Sequence, residues 1–129
     1  MWSHAGLAFA LIYAVLVSIV YFVQTTFMVP LHLQGEVQNE ALLIFEMGSF
    51  MFAIDVLGYG FMSLATLFIA PLFKGKLRWI LIINGLLAPI VPLEMIFPNL
   101  LFVAALWIIT FPTSTIMLAK KFKSLKALS

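Results

Sequence analysis

The sequence predicts an all-α fold, a polytopic transmembrane four-helix bundle, and three observations carry that prediction. Hydrophobic residues make up 64% of the 129, charged residues only 9%, and the mean hydropathy is +1.17. A soluble domain stays solvated with about 25% charged residues, so the chain reads as a membrane protein. Its apolar runs are long enough for about four crossings at roughly 20 residues each. They are also continuous rather than alternating with period two, which excludes a transmembrane β-barrel.

The first span is expected over residues 4–28. No Lys or Arg precedes it and its apolar run is too long for a cleaved signal peptide. Gly6, Ala10, Ala14 and Ser18 recur every four residues along one narrow ridge. Small residues at that spacing let a second helix approach closely in lipid, either within one bundle or between two chains. Tyr21, Gln24 and Thr25 add polar groups near the far end, and Pro30 is expected to stop the helix.

Residues 29–49 form the longest connection, with Glu36, Glu40 and Glu46 and no basic residue. Asn39 is placed to cap a short helix over 40–47, which Gly48 would break. Without that break, a helix over 40–73 would be about 51 Å long, against a hydrocarbon core of about 30 Å.

The second span is expected over 50–73, followed by the basic turn Lys74-Gly75-Lys76-Leu77-Arg78. The third, over 79–97, contains Pro89 and Pro92 and should bend there. The fourth runs over 100–119, carries Trp107 and the run Thr110-Phe111-Pro112-Thr113-Ser114-Thr115, and leads into a basic tail expected to fray. The hydroxyls of that run can satisfy the backbone carbonyls that Pro112 frees within the same helix. A substrate lining is the other reading.

All seven Lys and Arg residues fall on one side of this threading, and all five acids lie toward the other. Basic residues beside span ends mark the cytoplasmic face. Both termini are therefore expected inside and the 29–49 connection outside, in a multi-pass inner (plasma) membrane protein. The pI near 9.1 reflects these topological clusters, and no nucleic-acid partner is expected. The expected partners are membrane lipids and, beyond them, either further copies of the chain or another membrane protein.

Asp55 is the one acid within a span rather than at a rim, and Glu94 reaches a similar depth from the third span. An ionisable residue inside a span costs roughly 2.5–3.5 kcal/mol on insertion scales and faces protein or water. Asp55 should therefore point inward, with Gly58 and Ala65 on its face admitting a neighbouring helix. Tyr21, Gln24, Tyr59, Asn84 and Glu94 are the polar candidates around it. Two readings follow: an outward-open ligand, proton or cation site, or a carboxylate whose hydrogen bonds lock the bundle.

With no cysteine, no disulfide or thiolate site can form. His4 and His32 fall on opposite membrane faces, so no metal site is expected. Pro30 and Gly35 place His32 in a loop. No cofactor motif and no phosphate-binding or hydrolytic signature is present, so no catalytic residue is assigned.

The segments Tyr21-Phe22-Val23-Gln24, Asp55-Val56-Leu57-Gly58-Tyr59 with Met62-Ser63-Leu64, and Leu106-Trp107-Ile108-Ile109-Thr110-Phe111-Pro112 resemble those of small uncharacterised bacterial inner-membrane proteins. The resemblance covers most of the chain and implies a bacterial multi-span protein with no assigned activity. Small multidrug transporters also have four short spans, but they use a glutamate in the first; this chain has no acid there. Three functional classes stand: an accessory or binding subunit in a membrane assembly, a proton- or cation-coupled small transporter or channel using Asp55, and a lipid- or quinone-modifying enzyme.

Overall fold

The computed structural model describes residues 1–35 and 42–126, with the backbone alone at 125 and 126. Four helices, each long and apolar enough to cross a membrane, make up most of it: α1 (Trp2–Gln34), α2 (Phe50–Leu72), α3 (Gly75–Leu93) and α4 (Pro98–Ser124). No strand occurs among the described residues. Glu36, Asn39 and Glu40 lie outside them.

Helix α1 does not stop at Pro30. A proline ring in a regular α-helix collides with the carbonyl four residues back and leaves it without a donor. Here the chain widens instead into a π turn at Gln24–Met28, where the Val29 N–H donates to the Gln24 carbonyl five residues earlier. The Thr25 and Thr26 hydroxyls fold back onto the carbonyls of Tyr21 and Phe22 at 2.7 and 2.6 Å. The helix then continues to Gln34 and ends at Gly35, whose φ of 75° is left-handed. His32 is accordingly helical rather than in a loop, with Nδ1 3.0 Å from the Met28 carbonyl oxygen.

The break before α2 falls where the sequence places it, at Gly48 with φ 91°. Ser49 caps the helix, its Oγ accepting the Phe52 N–H at 3.2 Å. Residues 42–47 form turns instead of the expected short helix. Helix α3 begins at Gly75 rather than Trp79, so Lys76 and Arg78 belong to its first turn. It breaks after Leu86 and resumes at Ile90–Leu93, which is the bend expected from its prolines.

Helix α4 opens with two short segments and then runs regularly from Trp107 to Lys126, through Pro112. The tail expected to fray is therefore helical. The Thr113 hydroxyl donates to the Ile109 carbonyl, and those of Ser114 and Thr115 to that of Phe111. All three bond within the helix, but onto Ile109 and Phe111 rather than onto the Ile108 carbonyl that Pro112 leaves without a donor.

Helix α1 packs along α2, α2 on α3, and α3 on α4. The first and last helices do not close the ring. They flank a groove of about 310 Å³ walled by Gly6 and Ala10 on one side, Ser114 and Leu118 on the other, and floored by Ala65 and Ile69 of α2. The bundle is thus an open arc.

The expected four-residue ridge is not its seam. Gly6 is buried against Ala65 and Ile69, but Ala14 and Ser18 are exposed. A row of strict fours turns about 40° around an α-helix at each step, so it leaves the contact. The seam follows Gly6, Tyr13, Val17 and Val20, and Gly58 of α2 receives Val17 and Tyr13.

Lys74 and Lys76 meet Lys120 and Lys121 around one cleft. This brings the two basic clusters to one end of the arc, as the threading requires. At the other end, the Gln24 amide donates to the Leu43 carbonyl at 2.7 Å and ties the 42–49 loop to α1.

Candidate functional site

The polar candidates separate into two groups. In the middle of the bundle, Asn84 is fully buried and joins three helices. Its amide donates to Thr66 Oγ1 at 3.0 Å, and its Oδ1 accepts from Thr110 at 2.7 Å. Thr66 in turn donates to the Ser63 carbonyl at 2.7 Å. Asn84 is therefore not a neighbour of Asp55. Its partner Thr66 lies eleven positions further along α2, about 16 Å at the α-helical rise. Gln24 is likewise engaged elsewhere, on Leu43.

Toward the loop end Gln24 is bonded, but Asp55 is not fully paired. Asp55 sits five positions into α2, roughly 8 Å along the helix, and is 6% exposed. Its inward orientation is as expected, and its Oδ1 is buried without a hydrogen-bond partner. Among the described residues, no Lys or Arg lies in its half of the bundle. The phenol groups of Tyr13, Tyr21 and Tyr59 lie within electrostatic reach of one another, and Asp55 acts on those of Tyr13 and Tyr59. The Tyr13 and Tyr59 rings are 5.8 Å apart.

On the other side of Tyr59 lies a cleft of about 180 Å³, lined by Tyr59, Val91, Glu94, Leu101, Ala104 and Trp107, among others. Glu94 is 7% exposed. The Trp107 ring meets Tyr59 edge-on at 4.6 Å and stacks on Phe111 at 4.6 Å. Its indole N–H is buried with no acceptor. The wall behind is apolar, built from Val56, Leu87, Val91 and Ala104.

Of the six residues singled out from sequence, the structure gathers Asp55, Tyr21, Tyr59 and Glu94 around Tyr59, and assigns Gln24 and Asn84 elsewhere. Sequence reasoning missed Tyr13 and Trp107 as members of this group. Tyr13 was legible as a polar residue on the Val17–Val20 face. Trp107 gave no signal, being one aromatic among many in an apolar chain.

A carboxylate held in such surroundings needs a proton, a hydrogen-bond donor or a cation to offset its burial. Tyrosine hydroxyls can supply donors, and the cleft has room for a small ligand. No group of three metal-ligating side chains occurs among the described residues. The two histidines lie 28 positions apart on one helix, about 42 Å along its axis. Comparison with protein-family models, with curated proteins and with solved structures finds no match to this chain.

Proposed function

We propose that the protein is a small binding subunit of a bacterial inner-membrane assembly that holds a small ligand around Tyr59, in the outer half of the bilayer. One observation carries this reading: Asp55 and Glu94 are both more than nine-tenths buried beside one tyrosine, with no Lys or Arg in their half of the bundle among the described residues. A purely structural carboxylate in an apolar span would be expected to find donors within the protein, as Asn84 does. The clustering of Lys74, Lys76, Lys120 and Lys121 at the opposite end supports cytoplasmic termini.

The test is purification from native membranes, with mass spectrometry of everything retained. A stoichiometric partner protein, or a small molecule lost on Glu94→Gln, is expected. A clean monomer retaining neither would overturn the proposal. A reporter fused after Ser129 should be cytoplasmic; an extracytoplasmic signal would invert the orientation.

The unpartnered Asp55 oxygen favours a second reading, proton- or cation-coupled passage through the same region. Flux in proteoliposomes should then fall sharply in Asp55→Asn. Flux that persists unchanged in that variant removes this reading and leaves the binding role standing.

A further inference from the structure

At the end of the arc away from Tyr59, two stretches of chain far apart in sequence converge. The α2–α3 connection brings Lys74 and Lys76, and α4 brings Lys120 and Lys121. Lys74 and Lys121 also line an adjoining cleft of about 330 Å³ with Leu72, Phe73 and Leu77. The larger opening measures about 410 Å³. A buried cluster of Ala70, Leu77 and Leu81 holds the base of the two clefts, with Phe73 and Met117 packed on it. Phe73 meets Phe122 edge-on at 6.4 Å, which ties α4 to the turn. No described acid is near: Glu46, Asp55 and Glu94 all belong to the loop-end half.

Four ammonium groups around one concavity repel one another unless an anion sits among them. Their topological role accounts for which side of the membrane they occupy. It does not require that two separate segments place them around a shared apolar floor. A free anion would use the ammonium groups alone, whereas an amphiphile uses both the charge and the apolar Leu72, Phe73 and Leu77. Basic clusters beside spans attract anionic lipids, and these clefts add a defined shape to that attraction.

We propose that the Lys74–Lys76–Lys120–Lys121 clefts form a binding site for the phosphate headgroup of an anionic phospholipid, whose acyl chains run down the apolar wall. The site is independent of the ligand region around Tyr59.

The experiment uses the delipidated full chain in neutral detergent, with thermal unfolding followed as lipid is titrated. Ligand that binds only the folded state raises the midpoint in a saturable way. Dioleoyl phosphatidylglycerol is expected to do so, while dioleoyl phosphatidylcholine and inorganic phosphate are not. Lys74→Gln/Lys121→Gln should weaken the phosphatidylglycerol effect by about 25-fold, taking about fivefold for each lysine. The control pair Arg78→Gln/Lys123→Gln removes the same charge at the same end from side chains that line neither cleft. It should weaken the effect by less than about threefold, as expected of charges farther from the phosphate. Equal loss in both pairs would reduce the effect to diffuse charge and overturn the site. An equal response to inorganic phosphate would make it a free-anion site, and no saturable response to phosphatidylglycerol would remove it altogether.

Discussion

The middle of the bundle and its loop end contain similar polar side chains partnered to different degrees, although Ser63 Oγ in the middle is also buried without a partner. Around Asn84 the amide is bonded through both its nitrogen and its oxygen, and three helices share the network. Around Tyr59, a carboxylate oxygen and an indole N–H are buried with no partner, and a second carboxylate faces a cleft. The backbone follows the same division. Near Asn84 the helices touch closely, with Gly85 set directly against the backbone of Leu67. Near Tyr59, α3 is bent and α4 is interrupted at 105 and 106, which leaves space. Satisfied polar groups in lipid fasten helices together. Unsatisfied ones carry a standing cost that a ligand can relieve. The first region is held mainly by its own hydrogen bonds, and the second leaves a carboxylate oxygen and an indole N–H without partners.

That contrast can be broken by mutation, and the largest effect belongs to the close crossing. A Cβ added at Gly85 would lie 2.9 Å from Leu67 Cα and 3.0 Å from its N, so backbone must move. Gly85→Ala should lose about 3 kcal/mol, the upper range for overpacking, in detergent unfolding titrations. Gly60→Ala, in the loop-end half, meets nothing closer than the Ala88 carbonyl oxygen at 3.4 Å and should change stability by less than about 1 kcal/mol. Equal losses would mean that the two halves are packed alike.

Next in size is a difference in sign. Asn84→Ala strands the Thr110 hydroxyl and removes a donor from Thr66, and should destabilise by about 1–2 kcal/mol. Asp55→Asn removes a charge that burial disfavours, and should leave stability unchanged or raise it by about 1 kcal/mol. If Asp55→Asn instead costs as much as Asn84→Ala, the carboxylate is a fastening after all and the contrast fails. The smallest effect concerns the entrance to α2. Ser49→Ala loses the cap on the Phe52 N–H and should cost about 1 kcal/mol, with helix content by circular dichroism otherwise retained.

Much of the fold was legible because the bilayer permits few solutions. Span number, the break at Gly48, the bend in α3 and the inward face of Asp55 all follow from length, proline and the cost of burying charge. The continuation through Pro30 was not legible. It depends on a wider turn and two threonine hydroxyls acting together, which the proline alone does not announce. The partners of Asn84 were hidden for a different reason: hydropathy fixes the depth of a residue but not its azimuth. Which of several polar groups at similar depth meet is decided by helix rotation, and that is set by Gly58, Ala65 and Gly85 against larger neighbours. The separation of Asn84 from Asp55 is one of depth: its partner Thr66 lies eleven positions along α2 from Asp55.

The π turn at Gln24–Met28 has a consequence for how this chain tolerates change in length. Inserting or deleting one residue in a regular α-helix rotates everything beyond it by about 100°, turning a buried face toward lipid. A π turn already contains the equivalent of one surplus residue. Deleting a single residue between Thr25 and Phe27 together with Pro30→Ala, which removes the ring that ordinary winding would drive against the carbonyl four residues back, would let the widened turn relax with Tyr13 and Val17 on one side and Leu31 on the other keeping their headings. The same deletion near Ala14 would have no slack to draw on. Helix α1 therefore carries, close to its polar end, one place where its length can be edited without changing which way the rest of it faces, once the proline that the widened turn accommodates is replaced.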